Sequence, residues 1–408
     1  MHFSVRQKKL LTLCVAAYTV LYLCRLNLSA ALDAITQDLG ISLAAAGMLQ
    51  TIFAVVYACG QVVNGSIVDH VNPFRYMITG LAGAAVCNLF MSFTVGYEMM
   101  IAAWACNAVF QSMLWTPIVR VVARVFVSER ERNTANAALA VTLIAGHFFA
   151  WAISGVMAGR YGWRLSFRVP GVIALITSAV IYWLLRRESA APEWNQNRRA
   201  AKKKASGGAG VLSSVSFLLV LGTCILYGFI RDGVVTWTPT ILNQIGGGEA
   251  VTSTAFSLIL PLINISGVIT GFTLRRRGAR PHGVAAALMA LAVVCAPVLM
   301  LTSGMLQTAV LLGLICAGMY GANTMLTALI PLEYNCVGKT GMTAGLIDSV
   351  IYAGSALAGV FGGSIYETLG RNTLYGTWAA AGLASVALMT AAGRMSARYW
   401  RAHRNSET

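Results

Sequence analysis

Twelve long apolar runs constrain the fold of this chain before any motif is read. They fall at about 9–30, 44–67, 76–95, 99–123, 135–158, 165–185, 212–240, 252–273, 283–303, 308–332, 342–366 and 373–393. Most match or exceed the roughly 20 apolar residues that a helix needs to cross the hydrocarbon core of a bilayer. The runs are continuous, whereas the strands of a membrane barrel alternate over about ten residues. Continuous runs become helices, because lipid offers no partner to an open backbone N–H or C=O. Only 11% of the residues are charged and 57% are hydrophobic, against about 25% charged in a soluble domain. Those proportions nearly exclude a water-soluble enzyme, and they exclude a disordered chain. The expected fold class is an all-α integral membrane protein with twelve transmembrane helices. The first run follows Arg6, Lys8 and Lys9 as a signal peptide would, but it is too long for one and contains Arg25, so it reads as a retained first helix.

The net charge of +16 raises the question of a nucleic-acid partner, and its distribution answers it. With both termini cytoplasmic, 23 of the 30 Lys and Arg lie in inner segments and 4 in outer ones. That is the positive-inside pattern of a multi-pass membrane protein; the partner implied is the lipid bilayer, and no nucleic acid is expected. The outer four are Arg160, Arg164, Arg371 and Arg168, the last near the start of its run; three arginines remain deeper inside the runs: Arg25, Arg120 and Arg231. The one long inner segment, 187–211, carries Arg198, Arg199 and Lys202-Lys203-Lys204 before Ser-Gly-Gly-Ala-Gly. It reads as a solvated basic tether between a six-helix half at 1–186 and another at 212–408.

The halves match weakly at an offset of 206. Arg25 falls on Arg231, each in the first helix of its half, Gly65 falls on Gly271, and Asp69 on Arg275. Duplicated six-helix halves related by an axis along the membrane normal are a transporter architecture, with substrate bound near the midplane at the repeat interface.

Several stretches carry a more specific resemblance. The first helix reads Ala17-Tyr18-Thr19-Val20-Leu21-Tyr22-Leu23-Cys24-Arg25-Leu26-Asn27, and the second ends Gly65-Ser66-Ile67-Val68-Asp69 before Asn72-Pro73. The fourth contains Trp115-x-Pro117-x-x-Arg120, followed by Glu131-Arg132, and the seventh reads Arg231-x-Gly233-x-x-x-Trp237-x-Pro239-Thr240. Together these resemble the organophosphate:phosphate antiporters of the major facilitator superfamily, the glycerol-3-phosphate and hexose-phosphate transporters. The resemblance implies a secondary active transporter, functional as a monomer, that exchanges an organic phosphate for inorganic phosphate by alternating access. A proton-coupled symporter of a carboxylate or other organic anion, and a non-transporting sugar-phosphate receptor of the same fold, are the alternatives. Leu26 and Leu143 stand where those transporters often carry Lys and His.

An arginine at the centre of a span costs about 2.5–3.5 kcal/mol on insertion scales and cannot shed its proton, so Arg25 and Arg231 each need an anion, a carbonyl or water. They are the expected substrate-binding pair, their planar forks suited to phosphate; the competing reading pairs each with a protein acid. Tyr18 and Tyr22, one and two turns before Arg25, either donate to phosphate or pack. His147 and Asn323 are polar groups inside spans, placed by the same logic near the substrate or in interhelical contacts. Asp348 and Asp232 are acids inside spans, expected as proton-coupling or counter-ion groups, with Asp232 directed about 100° away from Arg231. Asp69 and Arg120 are the expected cytoplasmic latch. No Walker-type loop, zinc-ligand spacing or serine elbow is present, so neither a cofactor nor a metal is expected, nor an enzyme activity.

Overall fold

The computed structural model describes residues 3–68, 70–190, 194, 214–332 and 340–405. They form helices joined by short turns: α1 Val5–Leu39, α2 Leu43–Ile67, α3 Pro73–Met91, α4 Tyr97–Ser112, α5 Trp115–Val125, α6 Glu129–Tyr161 and α7 Trp163–Ala190, then α8 Val215–Ile245, α9 Ala250–Ser257, α10 Ile259–Arg276, α11 Pro281–Met300, α12 Met305–Thr324 and α13 Thr340–Asn405. Among the described residues ten stretches are long and apolar enough to cross a membrane. One of them, within α13, is two helices meeting at Gly370, whose φ of 81° lies in the left-handed region that L side chains avoid. The pair α4–α5 supplies the remaining crossing. Its interruption at Met113–Leu114 has a local cause: Pro117 has no N–H to return to the carbonyl four residues earlier.

Local chemistry sets the ends. Before α1, the Ser4 hydroxyl accepts the Gln7 N–H at 3.1 Å while the Gln7 side chain accepts the Ser4 N–H at 2.9 Å, a reciprocal capping box. Ser128 and Glu131 repeat it before α6, at 3.2 Å in each direction, which gives Glu131 a capping task. Asn72 caps α3 by accepting from the Phe74 and Arg75 N–H groups, with Pro73 in the first turn. The first helix is longer than its apolar run. It continues to Leu39 because the polar groups on its extension have partners: Asp33 accepts from Asn243 at 2.8 Å, and Asp38 from Trp163 at 2.9 Å and Arg164 at 2.8 Å. Arg160, Arg164 and Arg168, expected in outer loops, lie instead in the last turn of α6 and the first turns of α7.

The chain forms two compact units. The first comprises Met1–Ser42, Ile52–Arg199 and Leu242–Pro261; the second comprises Leu43–Thr51, Ala200–Ile241 and Leu262–Thr408. The start of α2 therefore belongs with the second unit, where Thr51 donates to the Ala356 carbonyl at 2.6 Å. The end of α8 and all of α9 belong with the first, where Thr254 lies against Gly155 of α6. In the segment expected to be a solvated tether, Trp194 is instead buried to 2% exposure. Its ring meets Phe74 edge-on at 4.8 Å and lies under the Arg124 guanidinium at 4.9 Å. An indole hides too much apolar area to remain in water when a ring and a cation are within reach.

Candidate functional site

In the first unit, Arg25 sits at the middle of α1 and is half-buried. Its guanidinium carbon lies 4.9 Å from the Phe53 ring centroid and 4.8 Å from that of Tyr57. The two rings are one turn apart on α2 and stacked at 5.8 Å, so they present a double π face to one cation. Tyr18 and Tyr22, each 7% exposed, pack edge to face at 5.4 Å. Tyr18 also meets Trp115 at 5.2 Å, and Tyr22 meets His147 at 5.2 Å. His147 directs Nδ1 to the Leu143 carbonyl at 2.6 Å, which assigns the proton to that nitrogen in the neutral ring. The residue four positions before it, read as the place of a histidine in similar transporters, thus anchors this one.

Beside Arg25 lies a buried amide cluster. Asn88, Asn107 and Gln111 donate to the Cys24 carbonyl at 3.1, 3.0 and 2.8 Å. Asn27 donates to Asn88 at 2.7 Å and to the Ser166 carbonyl at 3.2 Å. All four amides are 0% exposed. Buried amides of this kind hold position because a lost partner leaves a dry polar group behind. The cluster ties α1 to α3, α4 and α7 at the residue next to Arg25.

The second unit treats its arginine differently. Arg231, at the middle of α8, makes a bidentate pair with its own neighbour, Nε to Oδ1 of Asp232 at 2.7 Å and Nη2 to Oδ2 at 2.9 Å. Both side chains are 13% exposed. Successive helical residues do not face one another, and Asp232 does point to another helix, where the Ser355 hydroxyl of α13 donates to its Oδ2. The long Arg231 side chain bends round to meet it there. Ser355 reaches Asp232 because α8 and α13 touch backbone to backbone: a Cβ at Gly228 would collide with the Ile351 carbonyl, and one at Gly354 with that of Ile225. Tyr227, one turn before Arg231, places its ring 5.3 Å from the guanidinium and donates to Asn323 at 3.1 Å. Asn323 is half-buried at the end of α12, just before a π-helical turn at Met325–Leu329, a distortion frequent at functional sites. Tyr320 and Cys316 of α12 lie near the Arg231–Asp232 pair.

Asp348 is half-buried on α13, two turns before Ser355, and lies near Cys224 of α8. Arg120 donates to the carbonyls of Val68 and of Val71, the latter at 2.8 Å, tying the turn after α2 to α5. Asp69 lies outside the described residues. Among the described residues no group of three or more His, Cys, Asp or Glu is placed to hold a metal ion. The sequence reading missed Phe53, Tyr57, Tyr227, Ser355 and the amides Asn88, Asn107 and Gln111. A signal existed for some: Tyr227 is one turn from Arg231, and Asn107 and Gln111 are one turn apart inside an apolar run.

Helices of this number and character, with an arginine in the first span of each half, define a transporter fold. The family model of the Major Facilitator Superfamily matches residues 14–359, and the chain belongs to that superfamily. Among curated proteins it is 25% identical over 169 residues to a probable hexose phosphate transport protein of Chlamydia muridarum, 41% of this chain and 37% of that one. It is 28% identical over 250 residues to the glycerol-3-phosphate transporter of Bacillus subtilis, 56% of each chain. It is 22% identical over 252 residues to the membrane sensor protein UhpC of Escherichia coli, 58% of this chain and 57% of that one. The chain thus matches only about two fifths to three fifths of the length of these relatives. Its fold is similar to that of a bacterial homologue of the human lysosomal transporter Spinster, with a TM-score of 0.71 and 16% identity over 99% of this chain and 98% of the other.

Proposed function

We propose that this protein is a secondary active transporter that exchanges a small organic phosphate for inorganic phosphate by alternating access, and that Arg25 and Arg231 bind the phosphoryl group. The observation that carries the reading is the retention of a guanidinium at the middle of α1 and of α8, at matching places in the repeat. A permanently charged fork so deep in a span is costly unless a ligand or a protein group uses it. Each charge-assisted bond to phosphate contributes about 1.5–3 kcal/mol. In this reading Tyr18, Tyr22 and His147 form the aromatic wall beside Arg25, Asn323 positions Tyr227 beside Arg231, and Arg120 with Asp69 steadies the inner end of α2. Asp232 is the resting counter-ion of Arg231. In this reading both termini are cytoplasmic, which the distribution of Lys and Arg supports, and the functional unit is a monomer.

The test is counterflow of radiolabelled phosphate in proteoliposomes loaded with a panel of unlabelled organic phosphates. Acceleration by at least one of them is expected. The likeness to a membrane sensor protein favours one second reading, a sugar-phosphate receptor that does not transport. Binding of phosphates with no counterflow by any of them would replace the transporter with that receptor.

A further inference from the structure

We infer that the Arg231–Asp232 pair is a proton-gated anion site, so that each anion bound at Arg231 is accompanied by one proton on Asp232. This inference rests on the proposal that Arg231 binds the transported anion. One of the two bidentate edges of Arg231, the side-on edge formed by Nε and Nη2, is already committed to the two Asp232 oxygens, which leaves a phosphate only the end-on edge of the guanidinium. The pair carries no net charge, so it attracts a dianion only weakly while the carboxylate is ionised. A phosphate that did displace the carboxylate would leave two anions side by side in a buried place. Transfer of one proton from water to Asp232 removes both obstacles. The neutral carboxyl keeps the Ser355 oxygen as a partner, now as its donor. Arg231 then turns both N–H groups to phosphate oxygens. When the anion leaves, Asp232 returns its proton to water and recaptures Arg231, and no other group changes its charge.

Among the described residues, groups on four helices face the pair. On α8 they are Tyr227 and, a further turn away, Cys224; on α12, Tyr320 and Cys316; on α10, Asn264, which reaches Cys316; on α13, Ser355 and, two turns earlier, Asp348. Tyrosine, cysteine and arginine ordinarily titrate above the range in which a carboxylate does. The candidates for a proton taken up near neutral pH are therefore the two acids, and only Asp232 holds Arg231 in a bidentate grip.

The experiment is titration calorimetry of inorganic phosphate into the full chain in detergent, between pH 5.5 and 8, in buffers of different ionisation enthalpy. Phosphate's own titration is common to all variants, so differences report the protein. Asp232→Asn should take up about one proton fewer per phosphate than wild type and bind at least tenfold more tightly at pH 8. Asp348→Asn should retain the wild-type uptake. Ser355→Ala removes a donor that favours the ionised carboxylate, so its uptake should move to higher pH; this milder variant carries the test should Asp232→Asn fail to fold. Equal uptake in wild type and Asp232→Asn, with phosphate still bound, would overturn the proton gate and leave the anion site standing, as would an unmoved profile in Ser355→Ala. Loss of the proton in Asp348→Asn alone would move the role to that residue and overturn the assignment. Absence of phosphate binding in wild type would remove the proposed anion site and this inference with it.

Discussion

The arginines of the two units occupy matching places in the repeat, yet they are held by opposite chemistry. Arg25 rests on the π faces of Phe53 and Tyr57, which lower the cost of burying a cation without cancelling its charge. Arg231 is cancelled by Asp232. The difference teaches that a duplicated position preserves a cation and not its environment. The first unit seats its arginine against two rings, and the second seats its arginine against a carboxylate.

The largest effect should come from breaking the second arrangement on one side only. Asp232→Ala leaves Arg231 buried without its acceptor and should destabilise the fold by about 3–5 kcal/mol, whereas Arg231→Met with Asp232→Leu should be far milder. Thermal unfolding in detergent reads both; a double variant as unstable as the single one would show that the ion pair itself holds α8 in place. Next in size, Arg25→Lys and Arg231→Lys keep the charge and lose the planar fork. Each should weaken equilibrium phosphate binding by at least roughly tenfold, about 1.4 kcal/mol. Unchanged affinity in both would leave the pair a structural role.

Much of this contrast lies beyond what a sequence displays. Continuous apolar runs specify helices because lipid leaves the backbone no other choice, so the crossings and the deep arginines were legible. The break at Met113–Leu114 was not read in the continuous run 99–123, although Pro117 supplies its cause. The rings under Arg25 were not legible, because Phe53 and Tyr57 look like any residues of an apolar run until α2 is packed on α1. The Arg231–Asp232 pair was legible only as an alternative, a counter-ion role for Asp232 or Asp348, because helical spacing sends neighbours to different faces; the length of the arginine side chain and the Gly228–Gly354 approach bring three groups together. Trp194 was hidden by its surroundings, one indole in a basic, polar stretch.

Smaller changes sharpen the comparison. Phe53→Leu or Tyr57→Leu removes one π face from Arg25 and should weaken phosphate binding by about 0.5–2 kcal/mol, with no change in the protons taken up. An altered proton count in either would tie the two seats together. Smallest of all, Tyr227→Phe loses the hydrogen bond to Asn323 and should cost about 0.5–1.5 kcal/mol of stability, measured as a shift in unfolding midpoint; no shift would mean that the phenol's bond is replaced.

The amide cluster beside Arg25 has a consequence for how the chain is made. α1, which emerges before α3 and α4, carries Arg25 and Asn27 near its centre, but the amides that engage the Cys24 carbonyl and Asn27 stand at residues 88, 107 and 111. Until α3 and α4 have entered the membrane, α1 holds a charge and a polar amide with none of those partners. α1 therefore cannot complete these contacts before α3 and α4 are in place, however early it is made.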